Sequence, residues 1–196
     1  VVEGVFRRLV SVGMFPFLLL ILLGKDLFLF VFGSQWSEAG IFVQMLSCWI
    51  FFAFLYSPLS LLFVVLEAQR EALLVDVILF GSRCVALAIG GYWGNPRIAV
   101  ALFSFVGSSI LCFMILRFFW RVRIPPQKPL VVLGQHLLVL CPMLLIVLWS
   151  NCVMKNRFLV TLWISALCGI AYYAVVLYRD VYLRKQLMVL CRSVIR

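Results

Sequence analysis

The sequence is short of charge. Only 12% of its 196 residues are Asp, Glu, Lys or Arg, against roughly 25% in an ordinary soluble domain, and no water-facing surface can be built from so few. Acidic residues are the scarcest, seven in all, and histidine occurs once, at His136. A single histidine excludes the paired His-Glu sets of helix-borne zinc proteases. The seven cysteines are odd in number and form no CxxC pair, so neither a disulfide framework nor a metal site is indicated. The polar segments between apolar runs are short, and none gathers the polar groups that a membrane acyltransferase or glycosyltransferase needs. An enzyme is not expected, and neither is a cofactor. Segments of alternating polarity, about ten residues each, would mark a β-barrel; they are absent.

What fills the chain instead is hydrocarbon: 66% of the residues are hydrophobic. Six apolar runs cover residues 9–23, 39–66, 72–91, 98–116, 130–150 and 158–178. A helix crossing a hydrocarbon core of about 30 Å needs about 20 such residues. Lipid leaves no backbone group free to stay unpaired, so helices are the default. The expected fold is all-α, a polytopic membrane bundle of about six transmembrane helices. Gly24-Lys25-Asp26 interrupts the first run, and residues 27–32 either continue that helix or lie in the interface.

Placing alternate connections on opposite sides sorts the Lys and Arg residues 12 against 4, with Arg83 left inside a span. The rich side holds Arg7, Arg8, Arg70, Arg117, Arg121, Arg123, Lys128 and Arg179 onward; the poor side holds Lys25, Arg97, Lys155 and Arg157. The rich side should be cytoplasmic, and with it both termini. Trp36, Tyr92, Trp93 and Trp149 then mark the outer interface, and Trp120, Tyr178 and Tyr182 the inner one. The net charge of +10 is this bias, and nucleic acid is not implied. Anionic lipids attract such residues at about 1 kcal/mol each, and a basic tail from Arg179 to Arg196 suits them as partners.

Ionisable groups at bilayer depth are costly and tend to be functional. Arg83 stands near the middle of the third run, and Asp76 lies seven positions earlier on nearly the same helix face, about 10 Å away along the axis. Arg83 suits a phosphate, because its planar fork donates parallel hydrogen bonds. Asp76 suits a proton, a cation or a sugar hydroxyl. The alternative is an ion network between helices, with no ligand. Pro58, flanked by Ser57 and Ser60, marks a place where a helix can break to line a cavity; Pro16 and Pro142 are similar. His136, beside Gln135, either faces a cavity or is a satisfied structural residue. Ser104/Ser108 and Ala86/Gly90 have the small-xxx-small spacing that favours close helix contact.

Residues 15–91 carry a likeness. A proline-containing span ends in LGKDLFLFVFGSQWSEAG, the next contains YSPLSLLFVVLEAQR, and the third holds SRCVALAIGG, a mid-membrane Arg followed by a glycine pair. In this order the segments resemble the polysaccharide transporter branch of the MOP flippase superfamily, which includes the O-antigen (Wzx-like) flippases. The resemblance covers about half of the chain; the last two spans match only in number and hydrophobicity. It implies translocation of a polyprenyl-diphosphate-linked oligosaccharide across the bacterial cytoplasmic membrane. Arg83 would then meet the diphosphate or an acidic sugar, and Asp76 an ion or a sugar. It also implies that the six spans are the last of fourteen, the N-terminal portion of the transporter lying upstream. The absent initiator Met agrees with that expectation. Residues 1–128 would belong to the C-terminal lobe, 129–178 would form a final helix pair, and 179–196 a cytoplasmic tail. Against this stand a drug or cation exporter of the same superfamily, which a mid-membrane Arg disfavours, a peptidoglycan-precursor flippase, and a six-helix scaffold in which Asp76 and Arg83 lock helices together.

Overall fold

The computed structural model describes residues 2–65, 69–153 and 158–179. Most of the expected basic tail (180–196), with Lys155, Arg157 and Glu67, lies outside the described residues. Six helices account for nearly all of the rest: α1 (Val2–Phe32), α2 (Ser37–Val65), α3 (Gln69–Tyr92), α4 (Pro96–Arg121), α5 (Gln127–Val153) and α6 (Phe158–Arg179), with one 3-10 turn at Ser34–Trp36. No strand occurs among the described residues. Each helix is long and apolar enough to cross a membrane. The chain is an all-α, multi-pass membrane protein.

The first run continues. Its helix passes through Gly24, Lys25 and Asp26 and reaches Phe32, 31 residues in all, or about 46 Å at 1.5 Å per residue. Helices also run through Pro16, Pro58 and Pro142. Beside Pro58, which lacks an N–H, the Ser60 hydroxyl donates to the Ser57 carbonyl at 2.7 Å. The turn into α4 is made by Gly94, at φ +62°, and by Asn95, whose side chain accepts from the Arg97 N–H at 3.0 Å. Pro96 follows at the first helical position, where a missing N–H costs nothing.

The chain divides into two compact units, Val1–Leu137 and Leu138–Arg196, the division falling within α5. In the first unit α2 is the hub, packed against both α1 and α4, while α3 packs chiefly on α4. Lipid tails are as apolar as Leu, so helices gain little from burying hydrocarbon against each other; close packing and hydrogen bonds must hold them. The hub shows both. Gly24 and Gly40 bring α1 and α2 so near that a Cβ on Gly40 would lie 2.6 Å from Lys25 Cα. Gln44 of α2 donates to the carbonyls of Ile21 and Leu22, each at 3.1 Å, and Ser104 of α4 donates to the Met45 carbonyl of α2. The small-residue spacing serves as expected: Ala86 and Gly90 are buried, and a Cβ on Gly90 would collide with Ala99.

Ion pairs sit at both ends of this unit. At one, Arg97 at the start of α4 binds Glu38 at the start of α2. At the other, Glu71 of α3 pairs with Arg121 and lies 3.8 Å from Arg117, and Lys128 of α5 reaches Glu3 of α1 at 2.9 Å. The exposed aromatics Trp36, Tyr92, Trp93 and Trp120 lie near helix ends. In the second unit α6 buries one stripe, Thr161, Ser165, Gly169, Tyr172 and Val176.

Candidate functional site

The buried stripe of α3 is Val75, Leu79, Ala86 and Gly90. Arg83 falls on the same stripe by helical spacing, four residues after Leu79 and three before Ala86, and so turns toward the neighbouring helices rather than away from them. There it meets two rings. Its guanidinium carbon is 5.1 Å from the centroid of Trp49, on α2, and 5.4 Å from that of Phe103, on α4. The two rings touch edge to face, with centroids 5.2 Å apart at 70°. Gly107 makes room for the indole, since a Cβ there would lie 2.7 Å from Trp49 Cδ1. Toward the Gln69 end, Val75, Leu79, Leu111 and Met114 form a buried cluster with Trp49 and Tyr56 packed on it.

Magnitudes decide what this clamp can achieve. Arg83 is roughly 14 Å from the Tyr92 end of α3 and about 21 Å from the Gln69 end, deep enough for a charge to cost roughly 2.5–3.5 kcal/mol. A desolvated cation–π contact returns about 2 kcal/mol, so two rings together are of the same size as that cost. They leave the hydrogen-bonding deficit. Arg83 Nε and Trp49 Nε1 are both buried and meet no acceptor among the described residues, and an unmet buried donor costs about 1–3 kcal/mol. One cluster thus combines a stacked cation with two N–H donors, an arrangement complementary to an anionic oxygen.

The other expected residues do not join it. No ion pair links Asp76 to Arg83 among the described residues; Asp76 is exposed. Ser57 is exposed and Pro58 half-buried, nine residues beyond Trp49 on α2, which is about 14 Å along the axis. His136 pairs elsewhere: its Nε2 lies 3.2 Å from the Ser11 hydroxyl of α1. Ser11 donates its own proton to the Arg7 carbonyl at 2.8 Å, so it is His136 that donates, from Nε2. Among the described residues no three His, Cys, Asp or Glu side chains gather where they could hold a metal. Cys48, Cys84, Cys112, Cys141 and Cys168 are free thiols.

Trp49, Phe103 and Gly107 were not singled out by their sequence. The one signal for Trp49 is its depth: tryptophan prefers the membrane interface, and this one stands in the middle of a span.

No protein-family model matches the chain, no curated protein matches it, and no solved structure matches it. The flippase likeness rests on the motifs within residues 15–91 alone.

Proposed function

We propose that the chain is part of a transporter that flips a polyprenyl-diphosphate-linked oligosaccharide across the bacterial cytoplasmic membrane, with Arg83 meeting the anionic head. The observation that carries this reading is the clamp: a mid-span guanidinium packed over the rings of both Trp49 and Phe103, its own Nε and the neighbouring Trp49 Nε1 being buried donors that meet no acceptor among the described residues. A diphosphate and its sugar hydroxyls cannot enter hydrocarbon unpaired, and a cationic, hydrogen-bonding site replaces their hydration while the polyprenyl tail stays in lipid. The substrate class comes from the resemblance of residues 15–91. In this reading the 12-to-4 charge bias sets the Glu71–Arg121 end in the cytoplasm. The chain acts without cofactor or catalysis, and a cation exporter is disfavoured because the clamp already holds a cation.

The test is Arg83→Ala in the native membrane, with the protein level checked by immunoblot and the outer-leaflet lipid-linked oligosaccharide measured. Translocation should collapse while the protein remains. Full translocation at a normal protein level would falsify the anion role.

A scaffold without transport is the second reading, favoured by the fact that the same clamp ties α2, α3 and α4 together. Arg83→Met separates the two, because an apolar side chain of similar length can pack over the same two rings. A scaffold keeps its assembly with Met at this position, whereas a transporter loses its activity.

A further inference from the structure

One end of the α3–α4 pair holds a crevice that the transport reading does not use. It encloses ≈ 140 Å³ between Glu71, Leu74 and Ile78 of α3 and Met114, Arg117 and Arg121 of α4. A second hollow, of ≈ 530 Å³, shares Arg121 and is lined also by Trp120 and Arg123. The crevice is charged at its mouth and becomes hydrocarbon within two helical turns, passing from Glu71 to Leu74 and Ile78 on one wall and from Arg121 and Arg117 to Met114 on the other. That gradient matches a phospholipid read from headgroup to first methylenes.

The charges at the mouth do not cancel. Two arginines face one carboxylate, with Arg123 on the adjoining hollow, and Glu71, paired to Arg121 and 3.8 Å from Arg117, cannot occupy the five N–H donors that each guanidinium carries. Arg117 and Arg121 remain 54% and 40% exposed. Arg123 is held out beyond the helix by a Schellman turn: Ile124 N donates to Phe119 O at 2.9 Å and Arg123 N to Trp120 O at 3.0 Å. Glycine usually takes the left-handed position of that turn, yet here an arginine does, at φ 58°. Trp120, 71% exposed beside it, is the kind of side chain that anchors at the headgroup level.

We propose that this crevice binds one anionic phospholipid, its phosphate oxygens on Arg117, Arg121 and Arg123 and an acyl chain along Leu74, Ile78 and Met114. A lipid fits better than free phosphate because the lining below the arginines is apolar and continuous with exposed hydrocarbon on α3. The proposal does not rest on what the protein transports.

The purified chain in neutral detergent is titrated with phosphatidylglycerol, with phosphatidylcholine of the same acyl chains, and with inorganic phosphate, and bound lipid is counted by native mass spectrometry. One phosphatidylglycerol should bind in preference to phosphatidylcholine, and phosphate should not displace it. The double variant Arg117→Gln/Arg121→Gln should weaken binding roughly thirtyfold, from the usual worth of two basic residues near an anionic surface. Glu71→Gln keeps all three arginines and removes the competing carboxylate, so it should tighten binding roughly fivefold. Ile78→Trp fills the apolar half and should weaken the binding of phosphatidylglycerol, and of any residual phosphatidylcholine, without changing that of phosphate. Equal binding of the two lipids, displacement by phosphate, or indifference to the arginine substitutions each overturns the proposal. If the double variant does not fold, Glu71→Gln decides, and a failure to tighten overturns it.

Discussion

Gly107 of α4 is the surface against which the Trp49 indole of α2 rests: a Cβ on Gly107 would lie 2.7 Å from Trp49 Cδ1 and 3.0 Å from its Nε1. Arg83 is therefore positioned by a residue that never touches it. Gly107→Ala should push the indole off its seat and spoil the stacking. Overpacking costs about 1–3 kcal/mol, and the better helix propensity of Ala returns roughly 0.5–1 kcal/mol, so a net loss of about 1 kcal/mol is expected. Thermal unfolding in detergent gives the stability, and a shift in Trp fluorescence that vanishes in a Trp49→Phe background reports the indole.

The glycines should rank by what lies opposite them. At Gly40 the obstacle is backbone, Lys25 Cα at 2.6 Å and Gly24 O at 2.9 Å, and backbone cannot swing aside. Gly40→Ala should therefore reach the upper part of the 1–3 kcal/mol range, above Gly107→Ala. Gly81 has nothing within 4 Å, and Gly81→Ala should be neutral or stabilising. A reversed order in denaturant titrations would mean that α1 and α2 do not cross where described.

Gln44→Leu should cost about 1 kcal/mol. Its side-chain amide makes two hydrogen bonds to α1, and interhelical bonds in membranes average about 0.6 kcal/mol each. The carbonyls left behind keep their places in the α1 ladder, so no buried acceptor is orphaned. A loss above about 3 kcal/mol would show that Gln44 does more than join two helices.

At His136 the prediction is chemical rather than energetic. Because Ser11 spends its proton on the Arg7 carbonyl, neutral His136 should carry its hydrogen on Nε2. Nitrogen NMR of histidine-labelled protein distinguishes the two tautomers, and Ser11→Ala should remove the bias. An Nδ1–H tautomer in the intact protein would contradict the pairing.

The limits of the spans were legible from hydropathy to within a few residues, apart from the first seven residues of α1 and the last five of α4, because bilayer thickness sets a minimum apolar length for every run. The apparent break at Gly24-Lys25-Asp26 was not a break. Charged side chains do not interrupt a helix, whose hydrogen bonds run through the backbone, and Gly24 is there because α2 crosses closely. Arg83 announced itself, since a charge among apolar residues stands out in any reading. Its clamp did not: Trp49 and Phe103 are two aromatics among many, 34 and 20 residues away along the chain, and apolar sequence carries no mark of which neighbour it will meet across a helix boundary. The partner of His136, a serine 125 residues away, was hidden for the same reason.

The packing of Arg83 over rings from both α2 and α4 has a consequence for biosynthesis. Trp49 precedes Arg83 in the chain, whereas Phe103 follows it by 20 residues, which at about 5–20 residues per second is a delay of roughly 1–4 s. During that interval α3 has left the ribosome with its cation only half enclosed. The guanidinium must keep its water, or the shelter of the insertion machinery, until α4 is made. Insertion of the third helix should therefore gain from the arrival of the fourth, and truncation between Tyr92 and Phe103 should lower the fraction of α3 that spans the bilayer.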